Sequence, residues 1–126
     1  MPERAAITEV LDAFDRLPLQ CDGFVRVATF ALKHAGIEHA VFSGLCNANG
    51  KVVEPHMWIQ CGEWTVDYRL RKRAGPDAPH GVFRLSDHPG VTYEGKQIKL
   101  VVSKLVSTML SEPPPAQEMA VAKRPK

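Results

Sequence analysis

PHMWIQCGEWTVD, residues 55–67, is the most informative stretch of the chain. Apolar and polar residues alternate on either side of Cys61-Gly62, a pattern typical of two short antiparallel strands joined by a tight turn. A two-residue loop fixes the register of a hairpin, and directly opposed residues point to the same face of the sheet. The predicted cross-strand pairs are Gln60 with Glu63, Trp58 with Thr65, and His56 with Asp67.

The two faces of this predicted hairpin differ in character. One face is apolar and is expected to meet the core; it carries Met57, Ile59, Trp64 and Val66. The other face carries His56, Trp58, Thr65 and Asp67. A histidine beside a carboxylate is the arrangement in which a general base is held by an orienting partner.

Two helices are predicted before the hairpin. Residues 3–17 have apolar side chains at helical spacing, and Leu17-Pro18-Leu19 ends this helix because proline disfavours helix at the preceding residue. A second helix runs from about Cys21 to Ala35 with a wide apolar surface, and Gly36 provides its C-terminal stop. Cys21 is therefore predicted to lie at a helix N-terminus.

Cys21 has the position expected of an activated nucleophile. A helix N-terminus and a nearby imidazolium both stabilise the thiolate, which is the reactive form of cysteine. We expect His56 to deprotonate Cys21 and Asp67 to hold the imidazole in the correct tautomer. The backbone N–H of Cys21 and the side chain of Gln20 are candidate donors to an oxyanion. Trp58 is expected to wall the site and exclude water.

Each of these residues also has a non-catalytic explanation. Free cysteine is among the most buried residue types, so Cys21 suits a core position. Asp22 is a negative charge beside the thiol that raises its pKa, and it also suits a helix cap. His56 taken alone suits a surface strand, and Asp67 the start of a loop. The combination of a cysteine at a helix start with a facing histidine and aspartate favours the catalytic interpretation.

The rest of the chain is predicted to complete one domain over residues 1–111. Residues 69–90 are rich in glycine, proline and charged side chains and are interpreted as a long loop. Residues 112–126 contain three consecutive prolines and a basic end, and are expected to be disordered. The further predicted elements are a strand over Glu38–Leu45, a turn over Asn47–Gly50, short strands near Val82-Phe83 and over Val91–Glu94, a turn at Gly95-Lys96, and a helix over Ile98–Met109.

The composition excludes several classes of protein. The chain has 126 residues, 44% hydrophobic content, and 16 basic against 14 acidic side chains, which suits one compact domain with a core. We expect no nucleic-acid partner, since such proteins usually carry a concentrated basic stripe. The basic run Arg69–Arg73 is typical of a solvated loop, although it could attract an anionic substrate.

The three cysteines favour a cytoplasmic protein with free thiols. Cys21, Cys46 and Cys61 are odd in number and no two have a C-x-x-C spacing. No segment has the pattern of a signal peptide or a membrane span, so we expect no membrane partner. A zinc site built from these cysteines and some of the five histidines stays open as an alternative. The oligomeric state also stays open.

The arrangement resembles the transglutaminase-like branch of the papain-like cysteine proteases. In that superfamily a cysteine opens a buried helix, an H-x-W strand follows, and a hairpin strand carries W-x-x-D. The matching residues are Cys21, His56-Met57-Trp58 and Trp64-Thr65-Val66-Asp67, within roughly residues 18–70. The resemblance implies an α+β papain-like fold, in which the cysteine-bearing helix packs on a small antiparallel sheet.

The resemblance also implies an activity. By analogy, Cys21 is the nucleophile, His56 the general base and acid, and Asp67 the orienting residue. The implied reaction is hydrolysis of a peptide or amide bond, or transfer of its acyl group, on a peptide or protein substrate and with no cofactor. Gln20 and Asp22 stand where the family usually has small or aromatic residues, and the domain is short. The alternative is a non-catalytic interaction module on the same fold.

Overall fold

The structure is a computed structural model that describes residues 3–100, and it is of the α+β class. The helices are α1 (Arg4–Leu11), α2 (Cys21–His34) and α3 (Arg71–Ala74), with short 3-10 turns at Asp12–Phe14 and Leu85–Asp87. The strands are β1 (Ala40–Ala48), β2 (Lys51–Cys61), β3 (Trp64–Asp67), β4 (Gly81–Phe83) and β5 (Val91–Ile98). They form one antiparallel sheet in the order β4-β3-β2-β1-β5.

The first two helices cover one face of the sheet. The apolar stripe of α2, which includes Phe24, Ala28 and Leu32, packs with Ile7 and Leu11 of α1. These side chains meet the inward residues of the sheet, among them Val41, Ile59, Cys61, Val66 and Val82. The predicted second helix is confirmed almost to the residue. The first helix is shorter than predicted, because its regular part ends at Leu11.

The β1–β2 hairpin is longer than the sequence predicted. Strand β1 continues to Ala48, and the turn consists only of Asn49 and Gly50, both with positive φ. The pairing shifts by one residue between Gly44 and Cys46 of β1, where two β2 residues, Glu54 and Pro55, oppose one. This β-bulge immediately precedes His56, and a bulge changes the direction in which the following side chains point.

The β2–β3 register differs from the predicted one. The observed pairs are Ile59 with Val66, Gln60 with Thr65, and Cys61 with Trp64, so the turn is Gly62-Glu63 and not Cys61-Gly62. The two-residue difference leaves every side chain on its predicted face, because side chains alternate with a period of two. His56 and Asp67 are consequently diagonal neighbours on one face and not directly opposed.

The region of residues 69–90 contains more regular structure than predicted. Helix α3 follows β3 closely, and β4 supplies the strand predicted near Val82-Phe83. Buried residues of this region form a second apolar cluster with the sheet, consisting of Cys46, Ala48, Val53, Leu70, Ala74, Ala78 and Val91. Part of the predicted loop is therefore packed against the sheet and not exposed to solvent.

The predicted turn at Gly95-Lys96 is wrong, because β5 runs without interruption to Ile98. Gly44 and Gly95 are paired where β1 and β5 approach closely, and a Cβ on Gly44 would lie 2.0 Å from the Glu94 carbonyl oxygen. These glycines serve strand contact and not a turn. The predicted last helix is also wrong over residues 98–100, which are strand at Ile98 and irregular after it; residues 101–109 of that helix, and the tail at 112–126, lie outside the described residues.

Candidate active site

His56 and Asp67 form a buried hydrogen-bonded pair. The distance from His56 Nε2 to Asp67 Oδ2 is 2.7 Å, and the two residues are 0% and 3% exposed. His56 comes from the middle of the sheet on β2, and Asp67 is the last residue of β3. With Nε2–H donating to the carboxylate, the other ring nitrogen, Nδ1, is left to receive a proton.

Asp67 is held by three donors. Its Oδ2 also accepts a hydrogen bond from the Tyr93 hydroxyl at 2.8 Å, and its Oδ1 accepts one from the backbone N–H of Arg69 at 3.1 Å. These contacts fix the carboxylate that orients His56. Sequence reasoning missed Tyr93, which lies on β5 at the far side of the sheet. The sequence pattern predicted a strand at Tyr93, but nothing in it indicated that β5 pairs with β1.

Cys21 begins α2 beside the same imidazole. Strand β3 ends at Asp67, so β2 has no β3 partner before Ile59, and the Met57 N–H is available to the thiol. Burial raises the pKa of Cys21, but the His56 ring and the Met57 N–H outweigh it and hold the pKa below its ordinary 9.0. Asp22 opposes this lowering of the pKa, in the direction that the sequence indicated.

The imidazole responds to both partners. Burial alone would lower the pKa of His56, but the hydrogen bond to Asp67, followed by the interaction with Cys21, raises the pKa to about 9. Nδ1 of His56 is buried and has no hydrogen bond of standard geometry within residues 3–100. The thiol and the ring therefore interact without a hydrogen bond of standard geometry.

Arg69 links the loop before Cys21 to the end of β3 beside Asp67. Its five N–H groups donate to the carbonyl oxygens of Asp15, Leu17, Leu19 and Tyr68 and to the Asp15 carboxylate, at 2.5 to 3.1 Å. The loop before Cys21 is thereby tied to the end of β3. The interpretation of Arg69 as part of a solvated run is wrong, because this residue is 3% exposed. Its apolar neighbours Tyr68 and Leu70 were the signal for burial.

Gln20 and Trp58 lie on different sides of the three central residues. Gln20 is exposed at the N-cap of α2 and makes no capping hydrogen bond there. Trp58 is 5% exposed, with its ring centroid 6.3 Å from that of His56 and 4.7 Å from that of Tyr93. It covers the imidazole with apolar surface, whereas Gln20 stands beside the thiol at the mouth of a cavity.

The other two cysteines are buried, and Cys46 interacts with Tyr93 and with the charge of Asp67. Cys46 and Cys61 are fully buried, the three cysteines are unpaired, and burial raises the pKa of each of these two thiols to about 11. Within residues 3–100, no group of three His, Cys, Asp or Glu side chains is arranged to hold a metal ion. The zinc alternative therefore has no ligand cluster in this part of the chain.

Comparisons with known proteins add no identification. No protein-family model, curated protein or solved structure matches the chain. The papain-like resemblance therefore stays a prediction, while the α+β class is observed. Among the described helices, none has the length and apolar character needed to cross a membrane.

Proposed function

We propose that the protein is a thiol hydrolase or acyltransferase that acts on a peptide or amide bond through Cys21, His56 and Asp67. The observation that carries the proposal is the 2.7 Å bond between His56 and Asp67, inaccessible to water, beside a cysteine at a helix N-terminus. A buried ion pair is a weak source of stability, because desolvation offsets most of its attraction. Activation of the adjacent thiol explains the pair better.

In the proposed reaction the Cys21 thiolate attacks the carbonyl carbon of the substrate. A carbon–sulfur bond forms, and the carbonyl electron pair moves to oxygen. As the oxyanion collapses, the carbon–nitrogen bond breaks, and the departing amine takes the proton on His56 Nδ1. The thioester then reacts with water or a second amine, which gives its proton to His56, and Cys21 leaves as thiolate.

Each group has a separate role in these steps. Asp67 keeps the ring oriented and stabilises its positive charge, as the orienting carboxylate does in other triads. The backbone N–H of Cys21, at the start of α2, is the first candidate donor to the oxyanion, with the exposed Gln20 side chain as the second. Trp58 limits access of water to the imidazole. The papain-like resemblance assigns the same roles to the triad.

Acylation by an activated ester tests this proposal without knowledge of the natural substrate. With p-nitrophenyl acetate we expect a burst of p-nitrophenol equal to the protein concentration, with an acetyl group on Cys21 by mass spectrometry. Cys21→Ala should abolish the burst while the circular dichroism spectrum is retained. Cys46→Ala and Cys61→Ala should largely keep it, because their thiols are buried and have raised pKa values.

Acetylation spread equally over the three cysteines, or none at all, would contradict the proposal. That outcome would favour the alternative of a non-catalytic interaction module. Acetylation of Cys21 without any later release of acetate would leave the nucleophile supported and would identify acyl transfer to an amine as the second step to be assayed.

A further inference from the structure

Cys21 opens onto a cavity with a strongly basic lining. The cavity has a volume of about 390 Å³ and is lined by Gln20, Cys21, Arg69, Lys72 and Arg73. Three of these five residues are cations and none is a carboxylate. Asp22 follows Cys21 directly, but it does not line the cavity. An anion in this space therefore meets positive charge beside the nucleophile.

The three cations differ in what they have left to offer a ligand. All five N–H groups of Arg69 are already used within the protein, so Arg69 is structural. Arg73 donates through both terminal nitrogens to the carbonyl oxygens of Glu54 and Pro55, at 3.0 and 2.7 Å. Three of its five N–H groups make no hydrogen bond within residues 3–100, so Arg73 offers a ligand its charge and some hydrogen bonding from a fixed position.

Lys72 is the cation with all of its donors available for binding. It is exposed, and it makes no hydrogen bond or salt bridge to any residue in the described part of the chain. A lysine ammonium is a compact charge with three rotatable donors on a flexible stem. Arg73, anchored by the carbonyl groups of Glu54 and Pro55, lines the same cavity.

We infer that the substrate of this site is an acidic peptide whose carboxylate is bound by Lys72, in the field of Arg73, next to the amide attacked by Cys21. The inference rests on the proposed function and deepens it by naming the substrate class. A carboxylate is the anion that peptides ordinarily carry, either on a side chain or at the C-terminus. A basic cavity with no carboxylate in its lining favours such a group over neutral or cationic ones.

The anion site and the nucleophile can be tested separately. The pKa of Cys21 is shifted by burial, His56, Met57 and Asp22. Neither Lys72 nor Arg73 is among these causes. Alkylation of Cys21 by neutral iodoacetamide therefore measures the nucleophile. Alkylation by anionic iodoacetate, a reagent of nearly the same size, measures the nucleophile together with the charge of its surroundings. The ratio of the two rates isolates the anion site.

The proposal predicts how this ratio changes with charge. Lys72→Gln should lower the iodoacetate-to-iodoacetamide ratio about two- to fivefold, as expected for one exposed charge pair, and Lys72→Glu should lower it further. Added salt should lower the ratio in the native protein through screening. Lys33→Gln and Lys33→Glu are matched controls, since Lys33 is exposed near the other end of α2, about 18 Å along the helix axis from Cys21.

Protection by short peptides identifies the source of the carboxylate. We would measure slowing of iodoacetamide alkylation by acetyl-Ala-Glu-Ala-amide, by acetyl-Ala-Ala-Ala with a free C-terminus, and by neutral acetyl-Ala-Gln-Ala-amide. At least one anionic peptide should protect at a concentration about two- to fivefold lower than the neutral one. The anionic peptide that protects shows whether a side-chain or a terminal carboxylate is bound.

Failure of this inference is distinguishable from failure of the proposed function. Equal rate ratios in the native protein and both Lys72 variants, or equal protection by all three peptides, would overturn the acidic-peptide inference. The proposed role of Cys21 as nucleophile would then be supported by its rate of alkylation with iodoacetamide alone. A Cys21 that reacts no faster with iodoacetamide than an ordinary thiol would instead remove the proposed function on which the inference rests.

Discussion

Among single residues, Asp67 has the largest influence on the other groups of this site. It is buried, and it accepts hydrogen bonds from His56, Tyr93 and the Arg69 backbone. Its charge raises the pKa of His56, and the imidazole in turn lowers the pKa of Cys21. The carboxylate thus influences the thiol through the ring between them.

Asp67→Asn tests that influence because it keeps the shape of the side chain and removes its charge. The pKa of His56 should fall, the pKa of Cys21 should rise, and acylation at neutral pH should slow by about 10- to 10³-fold. A serine triad loses on the order of 10⁴ from the same change, and a thiol needs less assistance from its base. The measurement is burst acylation together with Cys21 alkylation against pH.

The neighbouring Asp22→Asn is the matched control, with the opposite sign. Asp22 raises the pKa of Cys21, so its neutralisation should make the thiol slightly more acidic. If Asp67→Asn leaves acylation and alkylation unchanged, Asp67 has no catalytic part, and the triad reduces to Cys21 and His56.

The three central residues were predictable from the sequence, but their supports were not. A strand pattern has a period of two, so a register wrong by two residues still placed His56 and Asp67 on one face. Tyr93 and Arg69 depend on partners distant in the sequence, on β1 and in the loop before α2. Such long-range pairings leave no local signal.

At the level of elements, the loop before α2 is fixed by Arg69. Arg69→Met retains much of the side-chain volume but leaves several buried carbonyl groups without a donor. We expect a loss of about 3 kcal/mol or more in the free energy of unfolding, because such groups are costly when unpaired. Equilibrium unfolding in urea measures this, and Cys21 should also lose its selective reactivity in the surviving folded protein.

Arg84→Met is the matched control for the Arg69 variant. Arg69 pairs with the Asp15 carboxylate and lies over the Phe24 ring at 4.6 Å. Arg84 likewise pairs with the Glu63 carboxylate and lies over the Trp64 ring at 4.4 Å. It is 46% exposed, so water replaces its partners and the loss should be much smaller. Equal losses of stability in the two variants would show that the hydrogen bonds of Arg69 do not fix the loop before α2.

The contact between β1 and β5 is a second test at this level. Gly44→Ala would place a Cβ 2.0 Å from the Glu94 carbonyl oxygen, so β5 must move and take Tyr93 away from Asp67. We expect a loss of about 1–3 kcal/mol or more in the free energy of unfolding. Ser43→Ala on the adjacent position adds no atom and is the control. A Gly44→Ala protein as stable as that control would contradict the observed packing of β5.

Gly95 explains why strand β5 was predicted over only part of its length. In the sequence, Gly95-Lys96 has the composition of a turn, and helical spacing of apolar residues begins at Ile98. In the fold, Gly95 pairs with Gly44 and permits close approach of two backbones, so the strand continues. The role of a glycine depends on the partner strand, which one segment of sequence does not specify.

At the scale of the whole molecule, the site exists only where four distant segments meet. Cys21 comes from a helix, His56 and Asp67 from two strands, and Tyr93 from a third strand at the opposite side of the sheet. The α+β class followed from the change between helical and alternating periodicity along the chain. The sheet order did not, because β5 pairs with β1 at the edge opposite β4, the strand that precedes it in the chain, and no local pattern specifies that pairing.

The folded protein is proposed to activate one thiol through His56, and the alkylation rate of Cys21 against pH measures that activation. We predict that the rate in the native protein rises with a midpoint below that of the same thiol in urea, whereas Cys46 and Cys61 stay unreactive. In His56→Gln the midpoint should rise to the value in urea or above it, because burial remains while the imidazolium no longer stabilises the thiolate. A native Cys21 that titrates no lower than the same thiol in urea, with the same profile in His56→Gln, would contradict activation by His56.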